Sequence, residues 1–394
     1  MNSEKLSAET KYVIELLKSG ITSSYDVRFP ENADLSIVSC IIQSSGILAT
    51  VFHLLENSSS PQAKQIASNL SKKYYVSLRQ SILHENEGDQ IEKALDDDSF
   101  EYIMLKGWEL RQLYPDISMR SMSDIDILIK NYDYKKLKQT MSRLGFEARP
   151  ESSWMHDTFK KQTVEVEMHK RLTDDSGYIR QWEKQIWTRA IRISNSNHGL
   201  KMSDEDFYIY HLLHIYKDFK YGSLILRRIA DTWLYIQKHH ELDENYLNNE
   251  LTKMGLANFR SRIERLARVC FEDAVADENS IVLINHAVNS HKYVKGQAYK
   301  IAKIVTISGK DGSLRSGKAR SLINSVFMPI DRMKVHFPKL EKYPILLPYY
   351  WFVRIFQHLR KASYYGEKLN YSELTEKDYI EMKEFLIAGG VLVD

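Results

Sequence analysis

The chain has 394 residues, with 55 Lys and Arg against 52 Asp and Glu, for a formal net charge of +3. That near-balance does not call for a nucleic-acid partner. The ordinary apolar fraction, with only 16 Gly and 8 Pro, excludes a disordered or fibrous chain and favours an ordered, helix-rich protein of two or three subdomains.

Met1 to Thr10 is polar and charged and lacks the apolar run of a secretory signal. The only two cysteines, Cys40 and Cys270, lie far apart, which fits a reducing, cytoplasmic setting. Ala8 to Lys18 reads as a short amphipathic helix. Leu35 to Leu55 carries no charged residue and is long enough to span a bilayer, but its serines, Gln43, Gly46, Thr50 and His53 argue for a buried helix broken at Gly46. No membrane span is expected. Ser60-Pro61 opens a helix running to about His84. Gly88 is expected to break it, with Gln90 to Leu95 resuming before the polar Asp96 to Ser99.

From Phe100 the period changes. Phe100 to Leu105 reads as a strand, Trp108 to Leu113 as a helix stopped by Tyr114-Pro115, Asp124 to Lys130 as a strand, and Tyr132 to Leu144 as a helix ended by Gly145. Phe146 to Ala148, Thr158 to Lys161 and Thr163 to His169 supply further strands, the last two antiparallel. The fold class expected is α+β: a small mixed-sheet core over residues 99–172, flanked by an N-terminal helical subdomain (1–98) and a mainly helical C-terminal one (173–394). Within the latter, Trp187 to Ile193 alternates like a strand, and Leu200 to Met202 is its expected partner. Helices are expected from Ser203 to about Lys217 and from Leu224 to Lys238. Later breaks are expected at Gly255, Gly309 to Gly312, Pro329 and Pro338, with the basic Ser313 to Arg320 stretch as a loop.

Chemistry concentrates in Asp124-Ile125-Asp126. Side chains alternate along a strand, so the two aspartates share one face while Ile125, Ile127 and Ile129 enter a core. Aspartate is depleted in strands, and a pair of carboxylates is a hard-oxygen site for Mg²⁺ or Mn²⁺. In Thr163 to His169, Glu165, Glu167 and His169 share the polar face. Alternation alone does not choose Glu165 or Glu167 as third acid. Three acids would serve a two-cation phosphoryl or nucleotidyl transfer. Lys106 and Arg120 are the nearest cations. His169 is read as orienting Glu167, ligating metal or stacking on a base. His211, His214 and Lys217 share a helix face that could line the cleft; a zinc site there lacks a third close ligand. Arg227 and Asp231, spaced i, i+4, read as an ion pair, with Arg228 free to face the cleft.

The blocks Leu105-Lys106-Gly107, Tyr114-Pro115, Arg120, Ser123 to Leu128 and Val166-Glu167-Met168-His169 resemble an uncharacterised nucleotidyltransferase family of the polymerase-beta-like superfamily, often found in bacterial gene clusters. His211 to His214, Lys217, Leu226 to Asp231 and Lys342 to Pro348 extend the resemblance over most of the chain. It implies an acidic triad of Asp124, Asp126 and Glu167, with an NTP such as ATP as donor. It further implies nucleotide or phosphate contacts from Lys106, Gly107, Arg120, Ser123, His169, His214, Lys217 and Arg228. In the superfamily Ser or Gly follows the glycine, where this chain has Trp108. A catalytically silent nucleotide sensor on the same fold is therefore the alternative. The basic Lys310 to Arg320 stretch and the aromatic content are the features favouring a nucleic-acid substrate.

Overall fold

Ser60 accepts a hydrogen bond from the Ala63 amide and Pro61 takes the first helical position, so the longest helix starts where its cap requires. In the computed structural model, which describes residues 6–23, 27–150, 153–173, 177–289, 296–328, 330, 333–334, 337, 339–360 and 374–392, the N-terminal helices are α1 (Ala8–Thr22), α2 (Leu35–Ser44), α3 (Leu48–Asn57) and α4 (Pro61–Asp97). The uncharged stretch is two helices hinged at Gly46, whose φ of 68° suits glycine. Among the described residues no helix is long and apolar enough to cross a membrane.

Gly88 does not break α4, which is one helix of 37 residues. The glycine serves packing: a Cβ there would come within 2.0 Å of Cη2 of Trp108. Close approach of an aromatic ring outweighs the propensity penalty of a helical glycine.

The core follows as β1 (Tyr102–Met104), the short α5 (Gly107–Leu110), β2 (Ile125–Ile129), α6 (Tyr134–Arg143), β3 (Glu147–Ala148), β4 (His156–Lys161) and β5 (Val164–His169). Beyond it lie α7 (Tyr178–Arg189), β6 (Ile191–Arg192), β7 (Gly199–Lys201), α8 (Asp204–Lys220), α9 (Leu226–Lys238), α10 (Glu244–Lys253), α11 (Ala257–Phe271) and α12 (Glu278–Asn289). Trp187 belongs to α7, so the expected strand shrinks to Ile191 and Arg192, which do pair with β7. A bulky aromatic in alternation fits either period, and the helix won.

The seven strands form one mixed sheet in the order β3-β4-β5-β2-β1-β7-β6. β2 is central, antiparallel to β1 and parallel to β5. Ile125, Ile127 and Ile129 are buried with Val164, Val166 and Met168 on one face, against Leu137 and Met141 of α6, Ile91 and Leu95 of α4, and Trp108. The fold is α+β, and this buried face leaves the opposite one to the acids.

The chain divides into two compact units, Met1–Lys217 with Leu224–Lys292, and Asp218–Ser223 with Tyr293–Asp394. In the second, α13 (Gln297–Ser308) and α14 (Leu314–Val326) are successive helices. The expected loop at Ser313 to Arg320 is thus helical: Ser313 and Ser316 form a reciprocal cap. Gly317 lies where a Cβ would meet Cγ2 of Ile304 at 2.6 Å. Pro329 and Pro338 lie outside the described residues. Cys40 and Cys270 are free thiols.

Candidate active site

Register decides which acids meet. Asp126 stands directly opposite Glu167 across the parallel β2–β5 pair, and Asp124 lies one alternation back on the same face. One carboxylate oxygen from each of Asp124, Asp126 and Glu167 falls within a common span of 4.8 Å. Glu165 is opposite Lys160 and ion-paired with it at 3.8 Å, further along the strand. Geometry therefore selects Glu167 over Glu165 as the third member.

Asp126 is the buried centre, 3 % exposed. Its Oδ1 accepts hydrogen bonds from Nζ of Lys106 at 2.6 Å and Nε2 of His169 at 2.7 Å. Its backbone carbonyl accepts the Leu105 amide, tying β2 to the end of β1. Burial alone would raise its pKa, but Lys106 and His169 outweigh it and hold the carboxyl well below the usual range. Burial, the largest effect, would lower His169, but its hydrogen bonds to Asp126 and Glu167 raise it. Glu167 is lowered by the hydrogen bond from His169. Asp124 is raised, first by burial and then by neighbouring Asp126, although the Ser123 hydroxyl donates to its Oδ1 at 2.7 Å. Two carboxylates are thus held ionised and the third is pushed toward neutrality.

The Lys106-Gly107 turn sits at the rim of this cluster. Lys106 has φ 44° and ψ −112°, a sparsely populated conformation that costs an ordinary residue about 1–3 kcal/mol. A Cβ on Gly107 would lie 2.7 Å from Sδ of Met122 and 2.9 Å from Nη1 of Arg120, so a larger residue would have to displace Met122 and press on the Arg120 guanidinium. Trp108 points the other way into the core, with the Arg111 guanidinium 3.8 Å over its ring.

Arg120 is buried and engages Asp231 through two parallel bonds, Nε to Oδ1 at 2.7 Å and Nη2 to Oδ2 at 2.8 Å. The expected Arg227–Asp231 pair does not form, because Arg120 and the Tyr114 hydroxyl take that carboxylate. Arg227 instead donates to the Ser121 carbonyl at 2.9 Å. These bonds brace the segment between α5 and β2.

From α8, Tyr210 and His214 lie near enough to feel the charges of Lys106 and Asp126. Burial, with Asp126 adding to it, pushes the Tyr210 hydroxyl up. Burial and then Arg228 hold His214 well below its ordinary value. Nη2 of Arg228 donates to Nε2 of His214 at 2.6 Å. His211 is buried and bonded to Thr232 at 2.9 Å, so the two histidines have separate partners and do not converge. Lys217 is exposed, one turn beyond His214. His156 and Tyr210 were not singled out by sequence pattern. His156 could have been found by extending the β4–β5 register, which sets it opposite His169.

The sequence profile of one protein family matches residues 31–272, more than half of the chain and including the whole acidic cluster. No curated protein and no solved structure matches. The chain belongs to the family described as uncharacterised nucleotidyltransferase.

Proposed function

We propose that the protein transfers a nucleoside monophosphate from an NTP, ATP first among them, to a hydroxyl acceptor and releases pyrophosphate. The observation that carries this is the meeting of Asp124, Asp126 and Glu167 on one face of the sheet, each with an oxygen in a span of 4.8 Å. The donor set fits hard divalent ions such as Mg²⁺ or Mn²⁺, being all carboxylate oxygen, and Asp126 is already bordered by the cationic Lys106. Bound ions there would offset triphosphate charge and the charge on the entering and leaving oxygens.

The chain's own groups have distinct tasks. Asp124, Asp126 and Glu167 would hold the ions, and partly exposed Glu167 would accept the acceptor's proton. The acceptor oxygen then bonds to the α-phosphorus as the bond to the bridging oxygen breaks and pyrophosphate departs. Lys106 supplies a cation to phosphate at the rim, and Gly107 lets backbone approach closely. Arg120, engaged with Asp231, acts by bracing Gly107. Ser123 orients Asp124, and His169 orients Asp126 and Glu167. His214, Lys217 and Arg228 offer polar groups to nucleotide or acceptor.

The test pairs two measurements on wild type and Asp126→Asn: calorimetric titration of each NTP with Mg²⁺, and pyrophosphate release with a metabolite extract as source of acceptors. Release should fall at least about a hundredfold in the variant, the scale on which removing a charge-stabilising group acts. Equal release by both proteins overturns the proposal. A second reading, a silent nucleotide sensor, is favoured by Trp108: its side chain lies in the core and offers no polar group to a triphosphate. It predicts Mg²⁺-dependent binding without release.

A further inference from the structure

The antiparallel β4–β5 pair sets His156 directly opposite His169, on the face that carries Glu167. Both imidazoles address the same carboxylate. His156 Nε2 lies 3.5 Å from Glu167 Oε1, and His169 Nε2 lies 3.3 Å from Oε2. The ring centroids are 5.1 Å apart and the rings are tilted by 59°. One ligand atom from each of the three residues falls within 4.8 Å of the other two. Atoms around an ion at about 2.1 Å are about 3 to 4 Å from one another, so these separations need little closure.

The far side of His169 is also arranged as a metal ligand's would be. Its Nδ1 faces the Arg171 carbonyl at 3.3 Å, an outer hydrogen bond of the kind that orients a ligating imidazole, and turns Nε2, which donates to Asp126 at 2.7 Å, toward Asp126 and Glu167. A cation bound there would take the place of the Nε2 proton between the same two carboxylates. His156, 24 % exposed on its side chain, gives that position access to solvent.

We propose that His156, Glu167 and His169 form a second divalent-cation site that takes a first-row transition ion, with Glu167 shared between it and the all-oxygen group of Asp124 and Asp126. Two imidazole nitrogens and one carboxylate oxygen suit borderline ions such as Co²⁺ or Zn²⁺ and also accept Mn²⁺, whereas three carboxylates suit Mg²⁺. The sheet therefore carries two neighbouring cation positions of different hardness. The proposal concerns which ion binds and does not depend on nucleotidyl transfer.

Pulsed electron paramagnetic resonance of the full chain with Mn²⁺, in a large excess of Mg²⁺, tests it. Retained Mn²⁺ should show nitrogen-14 coupling from directly bound imidazole. Asp124→Asn should keep that signal. His156→Phe should weaken binding of the retained ion by more than about tenfold, the loss that even outer partners of metal ligands produce. A melt followed by circular dichroism checks that the variant folds. Complete displacement of Mn²⁺ by Mg²⁺, or no nitrogen coupling in wild type, overturns the proposal whether or not the variant folds. Unchanged Mn²⁺ binding by folded His156→Phe does the same. Pyrophosphate release enters none of these readings, so failure of the transfer reaction would leave a nitrogen-coupled ion standing.

Discussion

Asp231 is fully buried, yet it carries charge because three donors converge on it: Arg120 twice and the Tyr114 hydroxyl. Burial opposes ionisation, but Arg120 overrides it and holds the carboxyl down at about 2. A depressed folded pKa contributes stability that is present above the ordinary 3.8 and lost as pH falls through about 2. Asp231→Asn would strand the Arg120 guanidinium inside the protein. It should cost about 3–5 kcal/mol, read as a shift of the urea midpoint at neutral pH. A loss below about 1 kcal/mol would mean that the guanidinium finds water. The sequence pattern paired this aspartate with Arg227 because i, i+4 is the nearest relation a linear chain displays. The actual partner is 111 positions away. Asp124 and Asp126 stood out for the opposite reason: strand alternation is local, and two acids in an apolar strand are conspicuous. The choice between Glu165 and Glu167 needed the register of β5 against β2, which alternation does not contain.

Packing of α4 against the core turns on a single missing methyl. Gly88→Ala would gain about 1 kcal/mol of helix propensity. It would also drive a Cβ to 2.0 and 2.2 Å from the Trp108 ring, and overpacking typically costs about 1–3 kcal/mol. The clash should win, leaving the variant less stable by up to about 2 kcal/mol in chemical denaturation. Trp108 directly follows Gly107, so nucleotide binding should weaken along with stability. An alanine more stable than wild type would show that the ring yields freely. The same glycine explains why element boundaries were only partly readable. Strands and capped helices announced themselves by period and by Ser60-Pro61. Gly88 and the Ser313 to Arg320 stretch looked like breaks because the sequence does not display the ring or helix that a glycine lets approach.

Across the first unit, buried ionisable groups pull stability toward different pH ranges. Glu92 is pushed up to about 7, first by burial and then by Asp89, Glu109 and Asp96. Its folded pKa exceeds the ordinary 4.5, so its protonated form favours the fold below that value, and the contribution is lost as pH rises through about 7. His84 and His211 are lowered to about 4 and about 3, chiefly by burial. They favour the fold above 6.5, and their contribution disappears as pH falls through those values. Glu92→Gln should therefore stabilise the protein by about 2 kcal/mol at pH 8 and change little at pH 4. Thermal melts across that range check it; a difference independent of pH would exclude ionisation of Glu92 as the cause.

The grip of Lys106 on Asp126 has one more outcome. A doubly charged guest, should one bind, would meet a sheet face that brings its own counterweight. A guest that claims the aspartate oxygen makes the lysine redundant there and turns it into a loose donor at the rim, where a polyanion would want it. Whatever helps the first visitor would then help the second to the same degree, since such coupling is reciprocal.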